Sequence, residues 1–288
     1  ELGAGFAATL DGETIVDLWG GYADRNKTRL WDADTLAPVY STTKAIAALV
    51  IARLVDEGAL DYAQPIADVW PEFAAGGKAT ITLGEAISHC AGLVGFKDPI
   101  DPALWLDPPA LSAALAALTP LWEDRRQSGY HPLTWGYIVG EIAARATGKS
   151  LGQHLADAFC EPHGVDFWIG LPDEEHDRCA EIQKPKTAPM LGEVTELKRI
   201  AFLTKWAAPD RGGALWRRIE IPSANGHGTA LAVAQLYGVW ANGGALNGER
   251  LIGERAFSEA TRVRVDNADL VLSSRVQFAA GPMRNVNG

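Results

Sequence analysis

Ser41-Thr42-Thr43-Lys44 stands where an irregular stretch, Asp32 to Tyr40 with Pro38 inside it, meets the apolar run Ala45 to Leu54. Ile46, Leu49, Val50 and Leu54 recur at helical spacing, and Asp56-Glu57-Gly58 reads as the exit. The pattern predicts a helix starting at or near Ser41, with Lys44 one turn later on the same face. Two readings of Ser41 stand side by side. It can cap the helix, because Ser and Thr are favoured there, and a Ser three places before a Lys arises by chance about once in an ordinary chain of this length. Or it is a nucleophile. A helix start is electropositive and prefers acidic residues, and a capping box would place Glu or Gln at position 44. A lysine there is locally unfavourable unless it has other work. The field of the helix start and partial burial both favour its neutral amine, and a neutral amine beside a hydroxyl is a general base beside a nucleophile. Bringing a lysine from about 10.4 to near 7 costs about 4–5 kcal/mol, which the fold must supply.

Upstream, Gly5-Phe6-Ala7-Ala8-Thr9-Leu10 and Thr14-Ile15-Val16-Asp17-Leu18-Trp19 flank Asp11-Gly12 and close on Gly20-Gly21, a hairpin pattern. Downstream, Pro65 and Pro71 mark loops and short elements. Thr82-Leu83-Gly84-Glu85 fits a capping box opening a short helix through Ala86, Ile87 and His89, with Gly92 as its exit. Residues 97–109 read as irregular, and Leu111 to Leu118 as a small apolar helix ended by Pro120. Gln127 to His131 is a polar patch holding Tyr130, ahead of a strong helix from about Thr134 that Gly148 closes. Residues 160–215 carry no long pattern. Thr229 opens a further helix stopped by Asn242-Gly243-Gly244. No internal repeat, low-complexity tract or clear linker is visible.

The 288 residues allow one large domain or two lobes with an ample core. Apolar residues at 47% and charged residues at 22% are those of a globular protein. The formal net charge of −10 argues against nucleic-acid binding, and no apolar run reaches the ~20 residues of a membrane helix. No signal peptide is visible after Glu1, so a cytoplasmic location is the expectation. Ten tryptophans suit large-core packing first and an aromatic-walled pocket second.

Cys90, Cys160 and Cys179 do not make a disulfide framework. Cys160-x-x-His163 and His176-x-x-Cys179, twelve residues apart, have a spacing that could hold tetrahedral zinc. The segment between them lacks the basic character of a nucleic-acid finger, and coincidence is the preferred reading, with no metal and no cofactor expected.

With Ser41-x-x-Lys44, Thr82-Leu83 to Leu93 and Tyr130 in place, the chain resembles the serine β-lactamase-like hydrolases, which include class C β-lactamases, DD-peptidases and family VIII carboxylesterases. Ile81-Thr82-Leu83-Gly84-Glu85-Ala86-Ile87-Ser88-His89-Cys90-Ala91-Gly92-Leu93 looks like the family's I-T-[VI]-x-x-L-L-x-H-[TS]-[SA]-G-L stretch. Ser128-Gly129-Tyr130-His131 resembles the tyrosine motif of the esterase branch, and Ile221 to Gly244 that branch's P-S-x-N-G-H-G-T-A … A-N-G-G segment. A class C β-lactamase would carry Tyr-x-Asn, and Pro132 occupies the Asn place. The likeness runs over almost the whole chain and favours esterase over β-lactamase. It implies an α/β (α+β) fold: an antiparallel sheet flanked by helices, about residues 1–70 and 219–288, and a mostly helical lobe, about 71–218, in one domain over 1–288.

Two features depart from the pattern. Asp124-Arg125-Arg126 stands where the family usually has Pro-Gly. The third motif, Trp-Gly-Gly in the esterases, has no match after Gly244, and Trp19-Gly20-Gly21 lies on the N-terminal hairpin instead. The expectation is that the chain is a piece of a longer protein, incomplete at both ends. The resemblance further implies Ser41 as nucleophile, Lys44 as its base, and Tyr130 as proton relay; Tyr130 without it would read as a packed or surface tyrosine. The Ser41 backbone N–H would form half of an oxyanion hole. The implied partner is a small ester, with β-lactams or D-amino-acid peptides as alternatives, and a relative that only binds ligand as another. His131 and His227 are read as structural.

Overall fold

A computed structural model describes residues 2–183, 192–203 and 212–286. The apolar run after Lys44 becomes helix α1 (Thr43–Asp56), and eleven of its fourteen residues are buried, which makes it the central helix rather than an amphipathic surface one. Ahead of it come the hairpin β1 (Gly3–Leu10) and β2 (Glu13–Gly21) and the short strand β3 (Ala37–Pro38). After it come α2 (Leu83–Ile87), α3 (Pro108–Ala117), α4 (Thr134–Thr147), α5 (Leu151–Leu155), β4 (Phe167–Trp168), α6 (Glu196–Lys198) and α7 (Ala214–Arg218). The chain continues through β5 (His227–Gly228), α8 (Ala230–Ala241), β6 (Ala245–Leu246), β7 (Glu249–Arg250) and α9 (Glu254–Thr261) to β8 (Val265–Ala268), β9 (Arg275–Phe278) and β10 (Met283–Arg284). Helices α4, α5, α8 and α9 all pack on α1.

The named strands pair antiparallel, in the orders β1-β2, β3-β5-β4, β6-β7 and β10-β9-β8. The hairpin turn falls on Asp11 and Gly12, both in the left-handed region (φ 51° and 88°), as a tight two-residue turn requires. Helix α8 covers one face of the hairpin: Thr9 Oγ1 donates to Ala234 O at 3.4 Å. On the other face Phe6 and Leu18 stand directly opposite each other and are 62% and 63% exposed. Trp70 and Trp135 are fully buried in the main core, as core packing of the tryptophans predicts.

Three helices follow their sequence signals closely. Helix α1 leaves through Gly58 (φ 76°), α4 ends on Gly148 in the left-handed conformation, and Thr229 Oγ1 caps α8 by accepting from Ala232 N at 3.1 Å. The Thr82–Glu85 capping box is formed in both directions, but α2 stops at Ile87. His89 itself takes the left-handed turn (φ 68°), three residues before the glycine expected to do so. Helix α3 starts earlier than its apolar pattern: Pro108 and Pro109 fill the first turn, where no N–H is needed, and Asp107 caps it through Ala110 N. The described parts of residues 160–215 are short helical turns and β4, and residues 184–191 and 204–211 lie outside the described residues.

Cys160 belongs to the main core and donates to Phe167 O at 3.4 Å, whereas Cys179 packs with Leu36 and Leu171. Among the described residues, no group of three or more His, Cys, Asp or Glu is placed to hold a metal. Nor is any described helix long and apolar enough to cross a membrane.

Candidate active site

Ser41 is placed by the chain's passage from strand to helix. β3 pairs with β5, and Val39 N donates to Gly226 O at 2.9 Å. Tyr40 then turns through a left-handed conformation (φ 47°), which costs energy in a residue with a Cβ. Tyr40–Thr42 form one 3₁₀ turn that runs into α1. No side chain caps either start, so Ser41 is not the helix cap that its residue type allowed. Its hydroxyl is exposed to a cavity of about 720 Å³ that Lys44, Tyr130 and His89 also line, with Trp240, Phe278 and Met283 on the walls. The Ser41 N–H lies in the first turn, where N–H groups lack intrahelical partners.

Lys44 sits below Ser41 and is 4% exposed. Its Nζ donates to Pro132 O at 2.7 Å and Ser223 O at 3.0 Å, and stands 3.4 Å from Ser41 Oγ. Burial, rather than a neighbouring charge, brings its pKa down to about 7. A neutral amine has two N–H groups and one lone pair. The two carbonyls take the N–H groups, which leaves the lone pair for the Ser41 hydroxyl. Pro132, at the place where class C enzymes carry an asparagine side chain, contributes its carbonyl instead.

Tyr130 reaches the same point from the loop ahead of α4. Its ring centroid is 4.9 Å from Lys44 Nζ, and it stacks with Phe202 and Phe278. The phenol pKa is raised, chiefly by burial; the Ser41 side chain opposes the shift and Asp269 adds to it. Gly129 precedes it because a Cβ there would meet the Trp122 ring at 2.5 Å. Arg125, the departure from Pro-Gly, fastens this loop by donating to the carbonyls of Cys90, Ala91 and Trp122 at 3.3–3.4 Å.

Two buried histidines support the loop and stay neutral. His131 Nε2 accepts from Leu93 N at 2.9 Å while Nδ1–H faces Gly129 O at 2.6 Å, and burial holds its pKa at about 3. His89 Nδ1 accepts from His131 N at 3.1 Å, and its pKa is pushed well below the ordinary value, again mainly by burial. His227 is also buried, with Nδ1 against Asn225 O at 2.7 Å. Asn225 and Gly226 are structural: the Asn225 amide bonds Ile221, Trp216 and Ile219, and Gly226 N donates to Thr43 Oγ1 at 3.0 Å.

The structure brings Ser41, Lys44 and Tyr130, the residues that the resemblance singles out, to one cavity. The sequence reading names His89 only within the Ile81 to Leu93 stretch, without a place at the site, and does not name Asp269. His89 carries a signal in hindsight, a histidine following a capping-box helix. Asp269 carries none: it is one of 36 acidic residues, in a stretch without pattern. Chemically, a neutral amine against a hydroxyl, with a protonated phenol alongside, can take the hydroxyl proton and pass it on.

This fold and this cleft define a class, and comparison with known proteins gives its name. The beta-lactamase family model matches residues 1–288, and the chain belongs to that family. The esterase/beta-lactamase LipL of Mycobacterium tuberculosis is 36% identical over 275 residues, covering 91% of this chain and 64% of that protein. A solved penicillin-binding protein homologue from Caulobacter crescentus is 51% identical, covers 99% of this chain and 77% of its own, and superposes with a TM-score of 0.95. A solved family VIII carboxylesterase is 40% identical with a TM-score of 0.89, covering 99% of this chain and 77% of its own. The chain spans less than two thirds of the length of the curated relatives it matches.

Proposed function

We propose that the chain carries the acyl-transfer site of a serine esterase that cleaves small carboxylic esters through an acyl-enzyme. Ser41 attacks the ester carbonyl as Lys44 takes its proton. Tyr130 relays that proton to the departing alcohol and then helps activate water for release of the acyl group. The Ser41 N–H supplies half of the oxyanion hole. The observation that carries this reading is the lysine amine, buried, held by two carbonyls and left facing Ser41 Oγ. The raised phenol pKa favours Lys44 over a Tyr130 phenolate as the base for the first step. The site lies at the seam of one domain, between an α/β lobe of about 1–70 and 219–288 and a helical lobe of about 71–218. A net charge of −10 supports a small-molecule partner over nucleic acid, and three free, buried cysteines fit a cytoplasmic location.

The test is a burst of p-nitrophenol from p-nitrophenyl butyrate, one equivalent per site, absent in Ser41→Ala. Full activity in that variant removes Ser41 as nucleophile. Hydrolysis of β-lactams is the second reading, favoured by relatives named esterase/beta-lactamase and penicillin-binding protein homologue. Nitrocefin compared with p-nitrophenyl butyrate separates the two: the esterase reading expects the larger kcat/KM on the butyrate.

A further inference from the structure

The loop that carries Tyr130 is held from across the chain. The β8–β9 hairpin bonds it at successive positions: Asn267 Nδ2 donates to Arg126 O at 2.7 Å, Gln127 Nε2 to Ala268 O at 2.7 Å, and Leu270 N to Ser128 O at 2.9 Å. Besides Phe278, which stacks on the Tyr130 ring, a carboxylate of this hairpin reaches the Tyr130 backbone. Asp269 is 2% exposed, and its Oδ1 accepts from Tyr130 N at 3.0 Å, Val271 N at 2.9 Å and Leu272 N at 2.8 Å. Its Oδ2 accepts from Ser128 Oγ at 2.8 Å. A carboxylate that receives three backbone N–H groups and a hydroxyl is clamped in place. It also lies behind the tyrosine that the proposed mechanism uses.

We infer that Asp269 is a positioning residue of the acyl-transfer site: it locks the Tyr130 backbone so that the phenol meets Ser41 and Lys44, and sets a fixed negative charge behind that phenol. The inference rests on the esterase reading of the site. The charge opposes loss of the phenol proton. A tyrosine kept protonated is the donor that the leaving alcohol needs. The other groups facing Tyr130 do not substitute for Asp269. His89 and His131 are held neutral by burial, Tyr237 has its own pKa raised to about 12, and Arg284, also on the cavity wall, is turned to Thr261 O at 3.0 Å. Among the described residues, Asp269 is the charged group that bears on the phenol proton.

Asp269→Asn keeps the size and the Oδ1 acceptor. Ser128 Oγ already stands 3.0 Å from Asn267 Oδ1 and can turn to it. The expected result is a kcat about 10-fold lower with little change in KM, a part of the about 10²–10⁴-fold that positioned proton transfer supplies. The alkaline limb of kcat moves to lower pH. Ser128→Ala, which removes a donor but no charge, leaves that limb in place. A folded Asp269→Asn protein with the parental pH profile overturns the inference, whatever its stability. A second measurement does not depend on that variant folding. The tyrosinate absorbance of the full chain minus that of Tyr130→Phe reports Tyr130 alone, and it is expected to ionise above about 10, the ordinary tyrosine value. Ionisation at or below that value overturns the inference. Ser41→Ala separates the two levels: full ester hydrolysis without Ser41 defeats the reading of the site, whereas a dead Ser41→Ala beside an unshifted Asp269→Asn defeats the Asp269 inference alone.

Discussion

Lys44 is the residue on which pH acts. With its pKa at about 7, the amine is protonated in acid and has no lone pair for Ser41. The esterase kcat/KM is therefore expected to rise through an acid limb near pH 7, and Lys44→Ala to lower kcat by about 10²–10⁴-fold. A pH–rate profile with its limb near the ordinary carboxylate range would point to another base. The same lysine makes stability depend on pH. Its folded value lies below its unfolded value of about 10.4, so between the two the unfolded chain holds a proton that the folded chain lacks. Stability from this group is lowest below pH 7 and rises with pH across that window, by as much as about 4–5 kcal/mol in total. Lys44→Met is expected to flatten that rise, and urea midpoints at two pH values inside the window, for parent and variant, measure it. At this scale the sequence was informative where chemistry is local. Ser41 and Lys44 are three residues apart, and an unfavourable cation in a helix start is visible without coordinates. What holds the lysine neutral was not visible, because its carbonyl partners Pro132 and Ser223 lie 88 and 179 positions away.

Helix α1 can start where it does only because the β5 segment approaches without a side chain. A Cβ on Gly226 would lie 2.5 Å from the Phe167 ring and 2.7 Å from Thr43 Oγ1. Gly226→Ala is expected to destabilise the fold by about 1–3 kcal/mol through overpacking. It also shifts the turn that presents Ser41, so kcat falls while Thr82→Ala, losing a cap worth about 1 kcal/mol, leaves kcat alone. Melting curves and ester kinetics on the two variants distinguish a general loss of stability from a displaced helix start. Elements with their own end signals were readable in advance: the Asp11-Gly12 turn, the Gly148 stop, the Thr229 cap. Elements defined by a distant partner were not. Strands β3, β4 and β5 are two residues long, too short for any alternation, and exist because they pair. Helix α9 and the β8–β9 hairpin lie in the stretch after Gly244, where the third motif has no match.

At the scale of the whole molecule, the outer face of the β1–β2 hairpin is an exposed apolar surface, with Phe6 opposite Leu18 and Leu10 at 60% exposure on the same strand as Phe6. Contiguous exposed apolar residues of this kind bind other apolar surfaces. The 288-residue chain is expected to bind a hydrophobic dye, and the pair Phe6→Lys and Leu18→Lys to reduce that binding without changing the burst on p-nitrophenyl butyrate. Equal dye signals from parent and double variant would place the sticky surface elsewhere. The β-lactamase-like class itself was legible from three short motifs. The departure at Asp124-Arg125-Arg126 became intelligible only with the fold, where Arg125 fastens the carbonyls around Cys90. The lysine's two carbonyl acceptors, the tyrosine loop and the hairpin behind it come from remote stretches of chain. Such a cleft has no partial version. During refolding, helices and the hairpin turn can form from local signals in microseconds, but turnover must wait for the last long-range closure. Catalytic competence is therefore a late clock for this protein, one that starts only when the whole chain has come home.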